Sequence, residues 1–233
     1  MSHVDIHRAQ ISILRSLRKS SHSRYTDLRV PTGLESDVFK FHLRKLISLG
    51  YITKTSPQYY TLTPLGKEFA NNLDDEKRTL QKQPKLSLLF IAESPDKIRF
   101  LFQQRKRHPF YDYWGLLSGP AQWGVDFLDT AKTEFEKQTG LTAEYEVSSF
   151  LRQRDYSADP SEILEDKLFV VVKVSNVTGP LTNAWGGGRN EWMTLEELES
   201  CQKFFPSTRK SIEHIQSSGT YYSDTIVYQK TDY

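Results

Sequence analysis

Only one cysteine, Cys201, occurs in the 233 residues. A lone thiol cannot close an intramolecular disulfide and gives no thiolate metal cluster, so a disulfide-stapled secreted fold is excluded and a reducing compartment is the expectation. Long apolar runs are missing too. The mean hydropathy is −0.57, and no stretch approaches the roughly 20 apolar residues of a membrane span. The opening Met-Ser-His-Val-Asp-Ile-His-Arg lacks the apolar centre of a signal peptide. The expectation is a cytoplasmic protein with no membrane partner. Net charge is nearly absent, at +2, but it is unevenly spread. Residues 1–73 carry 11 Lys/Arg against 5 Asp/Glu, and residues 83–233 carry 17 against 21. A basic head on a mildly acidic body points to a polyanion at the head, and the length suits two small domains.

The first domain spans residues 1–73. Ile6, Ala9, Ile13, Leu14 and Leu17 mark one helical face and Tyr25 to Leu28 a short second helix. Pro31-Thr32-Gly33 is a turn, and Ser36-Asp37 is placed to cap a third helix from Val38 to Leu49, ended by Gly50. Phe39, Leu43 and Leu46 turn inward, which leaves Lys40, Phe41, Arg44 and Lys45 on the opposite face. Tyr51 to Lys54 and Tyr59 to Leu62 alternate as a β-hairpin, and Thr63-Pro64 opens a fourth helix. Leu65, Phe69, Leu73 and Leu80 extend that helix through a helical linker, residues 74–84, able to pair with its copy in a homodimer, until Pro84 stops it; the poor helix formers Asn71-Asn72 and Asp74-Asp75 leave a frayed charged linker as the alternative.

Phe-His-Leu-Arg-Lys-Leu-Ile-Ser-Leu-Gly-Tyr-Ile, followed by Tyr-Thr-Leu-Thr-Pro-Leu-Gly-Lys, resembles the recognition helix and wing of winged helix-turn-helix transcriptional regulators. The resemblance covers nearly all of residues 5–73 and implies double-stranded DNA as partner. Lys40, Arg44 and Lys45 would enter the major groove, Ser36 would reach a phosphate or base, Phe41 would meet a thymine methyl, and Lys54 would touch the backbone or minor groove.

The second domain spans residues 85–233. Leu86–Ala92, Ile98–Gln103 and Trp114–Leu117 read as strands. A glycine loop then runs into an amphipathic helix carrying Phe127, Leu128, Ala131 and Phe135 on one stripe, with Glu134 off it and Gly140 as C-cap. Further strands are expected around Tyr145–Leu151 and Leu168–Val174. Glu191 to Leu198 opens a later helix with Thr194 and Glu197 spaced as a capping box, and Ser207 caps the last one.

Aligned on Gly119, Gly140 and Leu141, the stretch Leu116–Leu141 resembles the Nudix box: Gly, five residues, Glu, seven residues, Arg-Glu, an apolar residue, any residue, Glu-Glu, any residue, Gly, apolar. The likeness reaches beyond the box to Phe102-Gln103-Gln104-Arg105, Trp114-Gly115-Leu116 and Glu191-Trp192. It implies an α+β chain of two domains, the winged helix followed by a Nudix-like α/β/α sandwich with a mixed sheet.

Nudix hydrolases cleave nucleoside diphosphates linked to another group, and their box carboxylates hold magnesium or manganese. Glu134 matches the Glu of the Arg-Glu pair. Lys137-Gln138 stands where the family has Glu-Glu, and Val125 and Thr133 replace an ion-paired Glu and Arg. An ammonium at 137 repels a divalent cation and can itself meet a phosphate. Glu191 is the one outside carboxylate available as ligand or base. Arg105, Lys106 and Arg107 would neutralise phosphates, and Tyr111, Tyr113, Trp114 and Trp123 would offer faces to a base.

Two functional readings follow. In the first, a DNA-binding regulator senses a nucleotide-like, nucleoside diphosphate-linked small molecule at Arg105, Arg107, Trp114, Gly119, Trp123, Glu134, Lys137 and Gln138, with no cofactor required. Nudix-related repressors that sense compounds such as ADP-ribose are its nearest analogy, with the opposite domain order. In the second, a divergent Nudix hydrolase uses Glu134, Glu191 and a substrate-held magnesium or manganese, Glu134 being its metal ligand, and the head only targets it.

Overall fold

The computed structural model describes residues 6–74 and 79–233. The chain splits into two compact units, Met1–Lys82 and Gln83–Tyr233, each with its own buried core.

In the first unit α1 (Arg8–Arg18) begins at His7, whose Nδ1 accepts the Ala9 N–H at 3.2 Å while Gln10 Oε1 accepts the His7 N–H at 2.9 Å. This reciprocal cap satisfies two donors that the first turn leaves without helical partners. A short strand β1 (Ser23–Arg24), α2 (Tyr25–Arg29) and a 3-10 turn lead to Gly33, whose φ of 67° suits a residue without Cβ. Next come α3 (Ser36–Ser48), β2 (Ile52–Ser56), β3 (Tyr59–Leu62) and α4 (Pro64–Asn71), with strand order β1-β3-β2. Ile13, Leu14, Leu28, Phe39 and Leu46 are all fully buried together. Burial of each such side chain contributes about 1.5–3 kcal/mol.

Two expectations change here. Helix α3 starts at Ser36, behind Glu35, so Ser36 is not a cap but the first helical residue; the buried His42 on this helix stacks on His7, with ring centroids 4.3 Å apart. The fourth helix stops at Asn71 rather than continuing as a helical linker. Leu73 and Leu80 face each other across an antiparallel bridge, with Asp74 N–H donating to Thr79 O at 2.8 Å and Gln81 N–H to Asn72 O at 2.9 Å. Leu65, Phe69, Leu73 and Leu80 share a helical spacing but not a helix, so the surface on which a helical dimer was expected is not formed by the described residues. Residues 75–78 of that expected helix lie outside the described residues.

The second unit contains β4 (Lys85–Ala92), β5 (Phe100–Arg105), β6 (Trp114–Pro120), α5 (Phe127–Thr139), β7 (Thr142–Ser157), β8 (Ile163–Thr178), β9 (Ala184–Trp185), β10 (Gly188–Met193), α6 (Leu195–Glu199), α7 (Ser207–Gln216) and β11 (Tyr221–Tyr228). Its sheet runs β11-β7-β8-β4-β6-β5-β10-β9, with β4/β8 and β7/β11 parallel and the other neighbours antiparallel.

Alternation along the strands sends Leu88, Phe90, Leu101, Leu117, Val170 and Val172 toward Ala131 and Phe135 of α5. Leu89, Ile91, Phe102, Phe169 and Val171 turn the other way, toward Leu198 of α6 and Ile212 of α7. Two apolar faces on one sheet explain why β4 and β8 read as continuous apolar runs, and they make the unit an α/β/α sandwich with a mixed sheet. Asp126 caps α5 by accepting the Leu128 N–H at 2.8 Å, and Gly140 ends it at φ 70°. Thr194 and Glu197 form the expected capping box of α6, whereas Ser207 is the first residue of α7, behind Pro206. Strand β11 had no counterpart in the sequence reading. Gly186 and Gly187 form the turn between β9 and β10, with the Trp185 ring packed so closely that a Cβ on Gly187 would lie 2.4 Å from it.

Candidate functional site

The crease between β6 and α5 is built by close approach. A Cβ on Gly119 would sit 3.4 Å from Glu134 Cβ and Cγ and from Gln138 Nε2, so the absence of a side chain at 119 lets the strand lie directly on the helix. Beneath it Glu134 is buried, contrary to its expected place off the apolar stripe, and Leu128, assigned to that stripe, is 41% exposed. The charge on Glu134 is met by Lys137 of the next turn, Nζ to Oε1 3.4 Å.

Gln138 is buried, and both ends of its amide are occupied. Its Nε2 donates to Ser118 O at 3.1 Å and its Oε1 accepts from Gln103 Nε2 at 3.2 Å. Gln103 Nε2 also reaches Asn190 Oδ1 at 2.9 Å, while Asn190 Nδ2 donates to Gln138 O at 2.7 Å and to Thr182 O at 2.9 Å. Where the box pattern places a carboxylate, this chain has a buried chain of neutral amides.

Glu191 is not brought to Glu134. It lies on β10, beside Asn190, and since Asn190 points to α5 the alternation of the strand turns Glu191 to the opposite face, where it pairs with Arg189 at 2.5 Å. The two carboxylates of the hydrolase reading are thus separated by the sheet. Trp114 is buried among the residues facing α6 and α7, with the Arg189 guanidinium 5.4 Å from its ring. Trp123 is fully exposed in the loop before α5 and Arg107 is exposed. Val125 and Thr133 are exposed as well. Asp126 caps the helix, and Asp129 occupies its exposed first turn. Of the residues assigned to ligand binding, Gly119, Glu134, Lys137 and Gln138 come together in the crease, and Trp114, Trp123 and Arg107 do not join them.

Arg105 belongs to a separate, narrow cleft of about 60 Å³, partly open to solvent, with Gln153, Lys167, Phe169, Phe205 and Ser207 among its lining residues. Gln103 and Ser118 also line it, so the cleft and the amide chain share walls. Its cations have counter-charges behind them. Lys167 contacts Glu165 and lies 3.9 Å from Asp155 Oδ2, and Asp155 is fully buried. Burial, opposed by Lys167 and by the Gln153 amide, raises the Asp155 pKa above its ordinary 3.8. Burial, with Arg107 nearby, lowers that of Arg105, which stays charged at neutral pH. Beside the cleft, Phe110, Tyr113 and Tyr228 of β11 form a small aromatic cluster that Phe205 joins. Gln153, Lys167 and Ser207 were missed in the sequence. The one local signal is a lysine placed two residues before the buried Phe169 on the same strand face.

In the first unit Lys40, Phe41, Arg44 and Lys45 all stand exposed on the outer face of α3, Phe41 at 65%. Lys40 is partly engaged by Asp37 at 3.1 Å. Ser36 differs from expectation, since the Tyr25 hydroxyl holds its Oγ at 3.1 Å and donates to its carbonyl at 3.0 Å. Lys54 lies on β2 with its ammonium 6.0 Å from the Tyr60 ring. Arg24, overlooked in the sequence, donates to the Tyr59 hydroxyl at 3.2 Å on the same hairpin.

The sandwich with a glycine-held box helix defines a class of protein, and comparison with known proteins names it. Residues 83–215 match the family described as NUDIX domain, more than half of the chain, and the chain belongs to that family. No curated protein matches it. Among solved structures it is similar to the mutator MutT protein from Bacillus halodurans, at 18% identity and TM-score 0.50, over 64% of this chain and 93% of that one. It is also similar to the NUDIX domain of Shewanella oneidensis NrtR, solved with ADP ribose, at 17% identity and TM-score 0.47, over 67% and 98%. The MutT NUDIX hydrolase from Burkholderia pseudomallei is 22% identical at TM-score 0.45, over 57% and 98%.

Hydrolases of this family generally use magnesium or manganese. The residues here do not fit such an ion. Hard cations require several oxygen ligands, yet the crease offers one carboxylate already paired with an ammonium, next to a fully engaged amide. Among the described residues no group of three or more His, Cys, Asp or Glu is placed to share an ion. No helix among them is long and apolar enough to cross a membrane.

Proposed function

We propose that the chain is a DNA-binding transcriptional regulator, with the first unit acting as a winged helix-turn-helix and the Nudix domain as a sensor of a nucleotide-like ligand. The observation that carries this reading is the outer face of α3, where Lys40, Phe41, Arg44 and Lys45 are exposed together beside the β2–β3 hairpin that presents Lys54. A helix of this kind fits the major groove, Lys and Arg neutralise phosphates, and Phe41 offers an apolar contact to a thymine methyl. Ser36, held by Tyr25, is left out of that interface.

The ligand half of the reading is supported by the cleft at Arg105 and Lys167. Two cations, Arg105 and Lys167, line it beside Phe169 and Phe205, a combination suited to a phosphate group. The separation of Glu134 from Glu191 weighs against the hydrolase alternative. A population shift would couple the two halves: ligand binding favours one arrangement of the DNA-binding units in a homodimer and so changes operator affinity.

Fluorescence anisotropy with labelled duplex DNA over a salt series tests the reading. Arg44→Ala with Lys45→Ala should weaken binding and reduce the salt slope by about 2, one for each lost phosphate contact. Affinity unchanged by the double substitution would remove α3 from the interface. Turnover of nucleoside diphosphate sugars that Glu134→Gln abolishes would favour the hydrolase.

A further inference from the structure

Glu134 and Lys137 divide their exposure unequally. The carboxylate-bearing side chain is 8% exposed, whereas the lysine side chain is 59% exposed. A carboxylate so far removed from water needs a counter-charge, and among the described residues the one within reach is the Lys137 ammonium at 3.4 Å. We propose that Lys137 is the resident counter-ion of the crease in place of a divalent cation, and that a phosphate group binds directly on its ammonium without metal.

Three observations converge on this. First, the pair is already neutral, so a divalent ion arriving at Glu134 would face an ammonium and a single oxygen donor group. Second, an ammonium has three donors. One is turned to Glu134, and the exposed head leaves the others for phosphate oxygens. Third, no neighbour among the described residues completes a metal site. Gln138 is bound at both ends to Gln103 and Ser118, Glu191 is on the other face of the sheet, and Asp126 is committed to the Leu128 N–H.

The same geometry says how metal binding would be restored. Lys137→Glu places a second carboxylate one turn from Glu134 at an exposed position and leaves the buried amides untouched.

The proposal rests on the sensor reading only for the ligand's carrying phosphate, and it puts a phosphate in the crease, apart from the cleft at Arg105 and Lys167. Its test uses the full chain with manganese alone, followed by electron paramagnetic resonance of the free ion, and with pyrophosphate in the presence of a chelator, followed by calorimetry. The wild type is expected to leave the manganese signal unchanged and to bind pyrophosphate. Lys137→Glu should gain at least about tenfold in manganese affinity, a gain that Glu134→Gln in the same background removes. Lys137→Gln should lose about tenfold in pyrophosphate affinity.

Stoichiometric manganese binding by the wild type, abolished by Glu134→Gln, would overturn the proposal. So would a Lys137→Glu protein with native circular dichroism that gains nothing, or pyrophosphate binding indifferent to Lys137→Gln. If Lys137→Glu does not fold, the wild-type manganese titration and the Lys137→Gln arm still decide. Neither probe involves DNA, so loss of this proposal and loss of the regulator reading are separate results.

Discussion

Gln103 Nε2 lies 3.2 Å from Gln138 Oε1 and 2.9 Å from Asn190 Oδ1, so one side-chain amide ties α5 to two strands of the sheet. All three residues are buried. In a low-dielectric interior such a chain is stable only when every member is satisfied. The position at which the box pattern calls for a carboxylate has therefore become part of what holds the helix to the sheet.

Gln138→Glu should accordingly destabilise the Nudix domain rather than repair it. The new carboxylate would face Ser118 O, an acceptor, with no hydrogen to give unless it is protonated. Its folded pKa would be raised, so the loss should be full at neutral pH and shrink as pH falls through that pKa. A cost of about 2–4 kcal/mol at pH 7 is expected for an unsatisfied buried charged group. Urea denaturation at pH 7 and pH 5 checks it, and equal losses at both would refute the acid rescue.

Asp155 yields a prediction of a related sign. Burial raises its pKa in the fold above 3.8, so the folded state holds its proton to higher pH than the unfolded chain does. Its contribution to stability is therefore most favourable at low pH and falls as pH rises from about 3.8 through the folded pKa. Asp155→Asn should flatten that part of the stability profile, because an amide keeps an oxygen for the Gln153 Nε2 bond at 2.8 Å and has no charge to desolvate. The difference between wild-type and variant urea midpoints across pH 4 to 8 measures it. A difference independent of pH would show that Asp155 is not the titrating group.

His42 behaves as a base under the same rule. Burial first, and then His7, lower its pKa from 6.5, so the fold favours the neutral ring. The first unit should lose stability as pH falls from about 6.5 through the folded pKa, below which the loss is complete. Proton NMR of the histidine ring signals, assigned by comparison with His42→Gln, should give a midpoint below 6.5. A midpoint at or above that value would contradict the packing against His7.

What was legible in the sequence was local. The stripe of Ile13, Leu14 and Leu17, the alternation of Tyr59 to Leu62, the Thr194/Glu197 capping box and the glycine at 140 each report a short-range constraint, and the elements they announce are present. The failures were questions of pairing. Leu73 and Leu80 are spaced for a helix, yet Asn71-Asn72 gives a poor helix and an antiparallel bridge wins. Glu191 was assigned to the site because of its segment, but a change of one residue along a strand decides its face, and Asn190 occupies the inward place. The cleft draws Arg105, Gln153, Lys167 and Ser207 from four separate elements, and no spacing in the chain announces that meeting.

Gly66 gives the sharpest mechanical prediction for the first unit. It sits in the first turn of α4, where its N–H donates to the Thr63 hydroxyl at 3.0 Å, and the Thr63 N–H donates to Tyr51 O at 3.0 Å. Helix α4 is thereby pressed onto the backbone that enters β2, and a Cβ at 66 would fall 1.9 Å from Tyr51 O. Backbone, unlike a long side chain, cannot swing away, so Gly66→Ala must push α4 outward and break the Thr63–Tyr51 bond. The helix-propensity gain of about 1 kcal/mol for Gly to Ala is smaller than overpacking of about 1–3 kcal/mol together with a lost hydrogen bond of about 1 kcal/mol. Net destabilisation is therefore the expected outcome, read as earlier unfolding of this unit by hydrogen exchange of the Ile52 and Leu62 amides in the full chain. Unchanged or slower exchange in Gly66→Ala would show that the helix does not dock on Tyr51 in this way.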